Sequence, residues 1–343
     1  MQTLSSFDVF GFDLDHTLVT YKHSNLCSLI HSCLVRYLVE FEDFPTSVLH
    51  TSFNNVFCRG VLLDSHSGNV LFIGGDKSVL TAYHGKDFVT PPTLNLTSDE
   101  ILFSNPRFFP VPTLFERPLA SVFSVLVSLH DDSDLDLGSP PSEDCPFSKR
   151  FSGFCYSYLL AALLRAMHFN FASFHNGFYY PAFMKNPNQY VNYTPEIGAW
   201  IKSLQNFGKV VLITNSTPEY AKFLLSSCLE LTDLDFDCCV YSAGKPKYWK
   251  IPDNITKLVT AIGLENFIML YFGDHPVGDV IVPKGDYLTG GVSMKVNTTG
   301  IVENLKESDI NEGFPSFQDS FFYLKMESSA EFIVPSLSDL VKE

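Results

Sequence analysis

The sequence predicts an α/β protein: a parallel, doubly wound sheet interrupted by a large inserted domain. Three observations predict it. From about residue 195 onward, apolar runs of strand length alternate with helical patterns, as in strands joined by crossover helices. Near the N-terminus, a short apolar strand from Val9 to Phe12 ends in two carboxylates one residue apart, Asp13 and Asp15. About 190 residues then separate that strand from the next of its kind, where a βαβ crossover needs roughly thirty. The expected division is a core formed by residues 1–22 and 195–343, with residues 23–194 inserted as a cap.

The elements follow in order. Residues 26–40 carry a helical pattern. Residues 61–63, 70–73 and 79–83 are short β-like runs separated by turn-rich segments, which predicts a meander. Residues 114–130 read as an apolar helix. Residues 131–150 are acidic and rich in Pro and Ser, and predict a flexible surface loop. Asp132, Asp134, Asp136 and Glu143 mimic the spacing of a calcium loop, but Leu137 stands where the turn needs glycine. Residues 152–171 are again helical. The core resumes with helices at 195–207, 218–229 and 255–262, alternating with strands at 209–214, 236–241 and 267–272. In such a sheet the site lies at the C-terminal ends of the strands.

Composition narrows the function. The chain of 343 residues is 45% hydrophobic and 18% charged, which is globular and long enough for about two domains. Its net charge of −15 argues against nucleic acid or a membrane surface as partner. A small phosphorylated substrate stays compatible, because a metal and one or two lysines reverse the field locally. The 8 cysteines show no paired metal-type spacing, which predicts reduced thiols. No apolar run approaches a membrane span and no leader-like run precedes the Asp13 strand, so a cytoplasmic location is expected.

Four motifs carry the chemistry. Asp13-Leu14-Asp15-His16-Thr17 places two carboxylates on one side of a strand end. Such charges repel unless a cation or a proton intervenes, and Mg²⁺ suits oxygen donors of this kind. Thr214-Asn215 follows the 209–214 strand. Gly244-Lys245-Pro246-Lys247 offers two lysines. Gly273-Asp274, with Asp279 beyond it, follows the 267–272 strand. Each motif alone has a plainer explanation: a helix cap for the Asp13–Asp15 pair or for Asp279, a strand-end turn for Thr214-Asn215.

In this order the four motifs resemble the haloacid dehalogenase superfamily of aspartate-nucleophile phosphatases. The resemblance implies a Rossmann-like parallel core under an inserted cap. Within the superfamily, residues 11–22, 59–64, 68–71, 83–85, 112–115, 208–220 and 271–280 resemble the cytosolic purine 5′-nucleotidase family. Phe178-Tyr179-Tyr180-Pro181 resembles one branch of it.

The resemblance assigns roles. Asp13 is the expected nucleophile, and Asp15 the expected acid–base group. Asp13, Asp15 through its backbone carbonyl, and Asp274 are the expected Mg²⁺ ligands. Thr214, Asn215 and Lys245 are expected on the phosphate, Lys245 being preferred over Lys247 because the family carries Lys-Pro here. Asp279 is expected to orient the metal's waters or Lys245, with Thr17 beside the site. Phe115 and His175 are expected on the substrate. The implied reaction is hydrolysis of a nucleoside 5′-monophosphate, by a chain that resembles homo-oligomeric relatives. Another small phosphoester, or a binding protein retaining the fold, stands as the alternative. The purine-selective relatives carry an Arg and an Asp shortly before the histidine, and residues 167–174 contain neither.

Overall fold

The structure, a computed structural model, describes residues 4–53, 59–132, 156–303 and 315–341. The chain forms two compact units. One comprises Met1–Lys22, Asn188–Asn304 and Lys325–Glu343, the other His23–Pro187 and Leu305–Leu324.

The first unit opens with β1 (Val9–Phe12), buried along its whole length. The second unit begins with α1 (His23–Phe41). A meander follows: β2 (Val61–Asp64), β3 (Asn69–Ile73), β4 (Val79–His84) and β5 (Asp87–Val89). Then come α2 (Ser98–Leu102), β6 (Phe108–Val111), α3 (Arg117–Asp131), α4 (Ser157–Phe171) and α5 (Tyr179–Lys185). The strands form an antiparallel sheet in the order β5-β4-β3-β2-β6. Asp64 ties its first turn: the carboxylate accepts from His66 N–H at 3.0 Å and from Arg107 Nε and Nη2 at 2.9 and 2.8 Å. The expected acidic loop lies outside the described residues beyond Asp132.

The first unit resumes with α6 (Pro195–Leu204), β7 (Lys209–Ile213), α7 (Pro218–Leu229), β8 (Cys238–Val240), α8 (Pro252–Ile262) and β9 (Asn266–Gly273). Proline opens all three helices, where its fixed φ and missing N–H cost nothing. Gly263, at φ +73°, ends α8. The chain continues through β10 (Gly285–Thr289) and β11 (Val292–Ile301), then α9 (Phe321–Ser329), β12 (Phe332–Val334) and α10 (Leu337–Val341).

The main sheet runs β10-β11-β9-β1-β7-β8, with β12 also on β11. Every pairing is parallel except β10 with β11. β1 is central, and its neighbours β7 and β9 are almost entirely apolar, as strands covered on both faces must be. On one face Leu258, Val259 and Ile262 of α8 pack with Val211, Ile213, Met269 and Tyr271. The parallel arrangement brings the C-terminal ends of β7, β1 and β9 side by side, at Ile213, Phe12 and Gly273. The expected strands and helices are all present, with ends shifted by a few residues; β5, β6 and β10 to β12 were not expected, nor were α2, α5, α9 and α10. Among the described residues no helix is long and apolar enough to cross a membrane, and Cys27, Cys33, Cys228, Cys238 and Cys239 are free thiols.

Candidate active site

Lys245 joins the motifs. Its ammonium lies 2.6 Å from Asp13 Oδ1, 2.6 Å from Asp279 Oδ1 and 3.2 Å from the Tyr271 hydroxyl. The side chain is only 4% exposed. Its backbone N–H donates to Asn215 Oδ1 at 2.8 Å, so the Thr214-Asn215 motif sets the lysine loop. Lys247, its neighbour in the motif, is exposed.

Asp13 leaves the end of β1, where its N–H donates to Phe272 O at 2.9 Å. Burial raises its carboxyl to about 7; Lys245 opposes the rise, and Asp279 and Asp15 add to it. Burial works against the charge on Lys245, yet the two carboxylates hold its pKa well above the ordinary value. Asp13, Asp274 and Asp279 each offer an oxygen within 4.8 Å of the others, and all three residues are buried. Lys245 pairs with Asp13 and Asp279, and Asp274 completes a group of three carboxylates around that one cation, a crowding that burial penalises. Hard oxygen donors crowded in this way fit Mg²⁺, and Asp13, Asp274 and Asp279 are the side chains that would hold it.

Asp279 is set by a π-helical turn, Pro276–Ile281. Burial lowers the pKa of His275, and its Nδ1 accepts from the Val277 and Gly278 N–H groups at 3.2 and 3.1 Å. The His275 N–H donates to Asp279 Oδ2 at 3.2 Å. A Cβ on Gly273 would stand 2.2 Å from Asp279 Cβ, so glycine is required there.

Asp15 lies outside the group formed by the other three carboxylates. The Tyr21 hydroxyl donates to one of its oxygens and the Ser216 hydroxyl to the other. Thr214 is fully buried, and its Oγ1 accepts from Ser216 N–H at 3.1 Å. Thr17 is 1% exposed, with no partner for its hydroxyl among the described residues. Phe115 and His175 lie in the second unit. Phe115 sits edge-on to Phe171 with ring centres 4.8 Å apart. It lies within a turn in which Thr113 Oγ1 donates to Glu116 at 3.0 Å. His175 is exposed.

Sequence reasoning did not single out Tyr271, Ser216, Tyr21 or His275. Tyr271 donates to Ile213 O at 2.9 Å while contacting Lys245. Its sequence signal was a lone polar-tipped residue in an apolar strand. Gly11 faces it, and a Cβ there would stand 2.6 Å from the tyrosine ring.

These features define an α/β protein with a buried acidic site, bridged by one lysine, at the ends of its parallel strands. A family model described as the 5′ nucleotidase family matches residues 2–267, and the chain belongs to that family. It is similar to "5'-nucleotidase domain-containing protein 1" of Homo sapiens, 26% identical over 268 residues, covering 72% of this chain and 55% of the relative. The Bos taurus protein of the same name is 26% identical over 266 residues, with the same coverage of 72% and 55%. This is the branch that residues 178–181 resemble. The chain spans about half the length of the curated relatives it matches. Among solved structures, a predicted phosphoglycolate phosphatase from Haemophilus somnus overlays with a TM-score of 0.40 at 14% identity, covering 100% of this chain and 99% of that one. L-2-haloacid dehalogenase from Xanthobacter autotrophicus overlays with a TM-score of 0.36 at 13% identity, covering 98% and 97%.

Proposed function

We propose that the chain is a Mg²⁺-dependent phosphomonoesterase that hydrolyses nucleoside 5′-monophosphates through a phosphorylated Asp13, residues 23–194 acting as a cap that selects the leaving group. The observation that carries this reading is Lys245 bridging Asp13 and Asp279 beside Asp274. Family membership supports the phosphatase class.

In the proposed reaction the Asp13 carboxylate attacks phosphorus and the ester P–O bond breaks. Asp15 gives its proton to the departing oxygen. Asp15 then takes a proton from a water whose oxygen attacks the same phosphorus, which releases phosphate and restores Asp13. Lys245 holds Asp13 in place and meets the negative phosphoryl oxygens as a point charge. Thr214 and Asn215 shape the loop that carries Lys245. When bound, Mg²⁺ neutralises charge on the phosphoryl oxygens. Phe115 and His175 are proposed as substrate contacts of the cap.

The test is a panel of phosphomonoesters assayed with Mg²⁺, comparing wild type with Asp13→Asn. Nucleoside 5′-monophosphates should release phosphate with wild type, and Asp13→Asn should stay folded at background turnover. Turnover of other phosphoesters with nucleotides inert would remove the nucleotidase assignment. Background turnover of every ester by wild type would favour a binding protein that retains the fold.

A further inference from the structure

We propose that Glu303, His16 and Tyr21 form a positioning relay that aims the Asp15 carboxylate; the inference rests on the phosphatase reading above. His16 lies between the two aspartates' strand end and Thr17, with φ at +57°. Glycine is the usual occupant of that backbone region, since a Cβ crowds the following carbonyl. His16 is nevertheless only 2% exposed. Backbone strain of this kind persists where the surroundings over-determine it, and it gathers at functional sites.

The surroundings are specific. His16 Nδ1 lies 3.2 Å from Glu303 Oε2, a partner 287 residues away in sequence. The His16 ring packs on the Tyr21 ring with centres 4.7 Å apart. The Tyr21 hydroxyl donates to Asp15 and lies 3.4 Å from the Tyr220 hydroxyl. Each end of the relay is anchored within the same unit. Next to Glu303, the Val302 N–H donates to Val334 O at 2.8 Å, tying the end of β11 to β12. Around Tyr21, the Lys22 N–H donates to Tyr190 O at 2.8 Å, and Thr20 O accepts from the Asn192 N–H at 3.0 Å.

The chemistry explains why the strain is kept. A general acid acts only within hydrogen-bond reach and in the right direction. Tyr21 and Ser216 fix both Asp15 oxygens, and Tyr21 keeps its place because His16 packs against it. Glycine at position 16 would suit the backbone better but would supply no ring for Tyr21 and no partner for Glu303. The relay therefore serves the proton transfer and not the attack by Asp13.

The test compares wild type, His16→Gly, Glu303→Ala and Tyr21→Phe on two ester types with Mg²⁺. The nitrophenolate of p-nitrophenyl phosphate leaves without a proton. The alkoxide of a nucleoside 5′-monophosphate, or of glycerol phosphate, needs one. Each variant should lose at least tenfold more kcat/KM on the alkyl ester than on the aryl ester. Equal losses on both, or no loss, would overturn the relay. If wild type turns over neither ester, the phosphatase reading fails by itself and thermal unfolding judges the relay. Glu303 and the Tyr21 ring are linked through His16, so the melting shifts of Glu303→Ala and Tyr21→Ala should be non-additive in the double variant. Additive shifts would overturn it.

Discussion

Gly273 and Asp279 are fitted to one another: a Cβ at position 273 would stand 2.2 Å from the Cβ of Asp279. That closeness brings the Asp279 carboxylate to 2.6 Å from Lys245. Gly273→Ala must push the π-helical turn away. The expected cost is about 1–3 kcal/mol, as for other overpacked sites, read from the denaturant midpoint. Phosphate release should fall at least tenfold as Lys245 loses its second carboxylate. A variant of wild-type stability and activity would show that the turn is not held by this contact.

Cation binding should be visible without any substrate. A ligand that binds only the folded chain stabilises it by mass action, about 2.7 kcal/mol at a hundredfold excess over Kd. Mg²⁺ should raise the melting temperature of wild type, and a chelator should reverse the rise. Asp274→Asn should fold and show little response, since it removes one of three clustered carboxylates. An equal rise in both proteins would place the cation elsewhere.

Acid should destabilise the chain through His31. Burial lowers this histidine from its ordinary 6.5 to about 4, and its Nε2 has no partner among the described residues. Between those values the unfolded chain binds the extra proton and the folded chain does not. Stability is therefore complete above about pH 6.5 and declines as pH falls towards 4, by on the order of 3 kcal/mol in all. His31→Leu should flatten that decline in denaturant titrations taken across the window. An unchanged decline would assign it to other groups.

The sequence made the centre of the sheet legible and left its far edge hidden. Val9–Phe12, Lys209–Ile213 and Asn266–Gly273 are nearly continuous apolar runs, and burial on both faces produces such runs. In β11, Val292, Met294 and Val296 alternate with exposed Ser293 and Lys295, but the strand then continues through buried Asn297, Thr298 and Thr299. That polar run breaks the alternation and conceals the strand. Glu303 was hidden with it, so its pairing with His16 could not be read. Asp13, Asp274, Asp279 and Lys245 were legible because each follows a strand or a glycine-marked turn. Tyr271, Tyr21 and Ser216 contribute single hydroxyls, and one hydroxyl leaves no pattern in a sequence. The contact between Gly11 and Tyr271 joins residues far apart in the chain, and only the parallel register brings them together.

The proposed reaction puts the phosphoryl group on Asp13 during turnover. The most direct measurement is acid-quench trapping with a phosphate-labelled nucleoside 5′-monophosphate and Mg²⁺, followed by peptide mapping. Wild-type chain should carry label at Asp13 within the turnover time, and Asp13→Asn none. Label passing to free phosphate without residing on the protein, with Asp13→Asn still turning over, would contradict it.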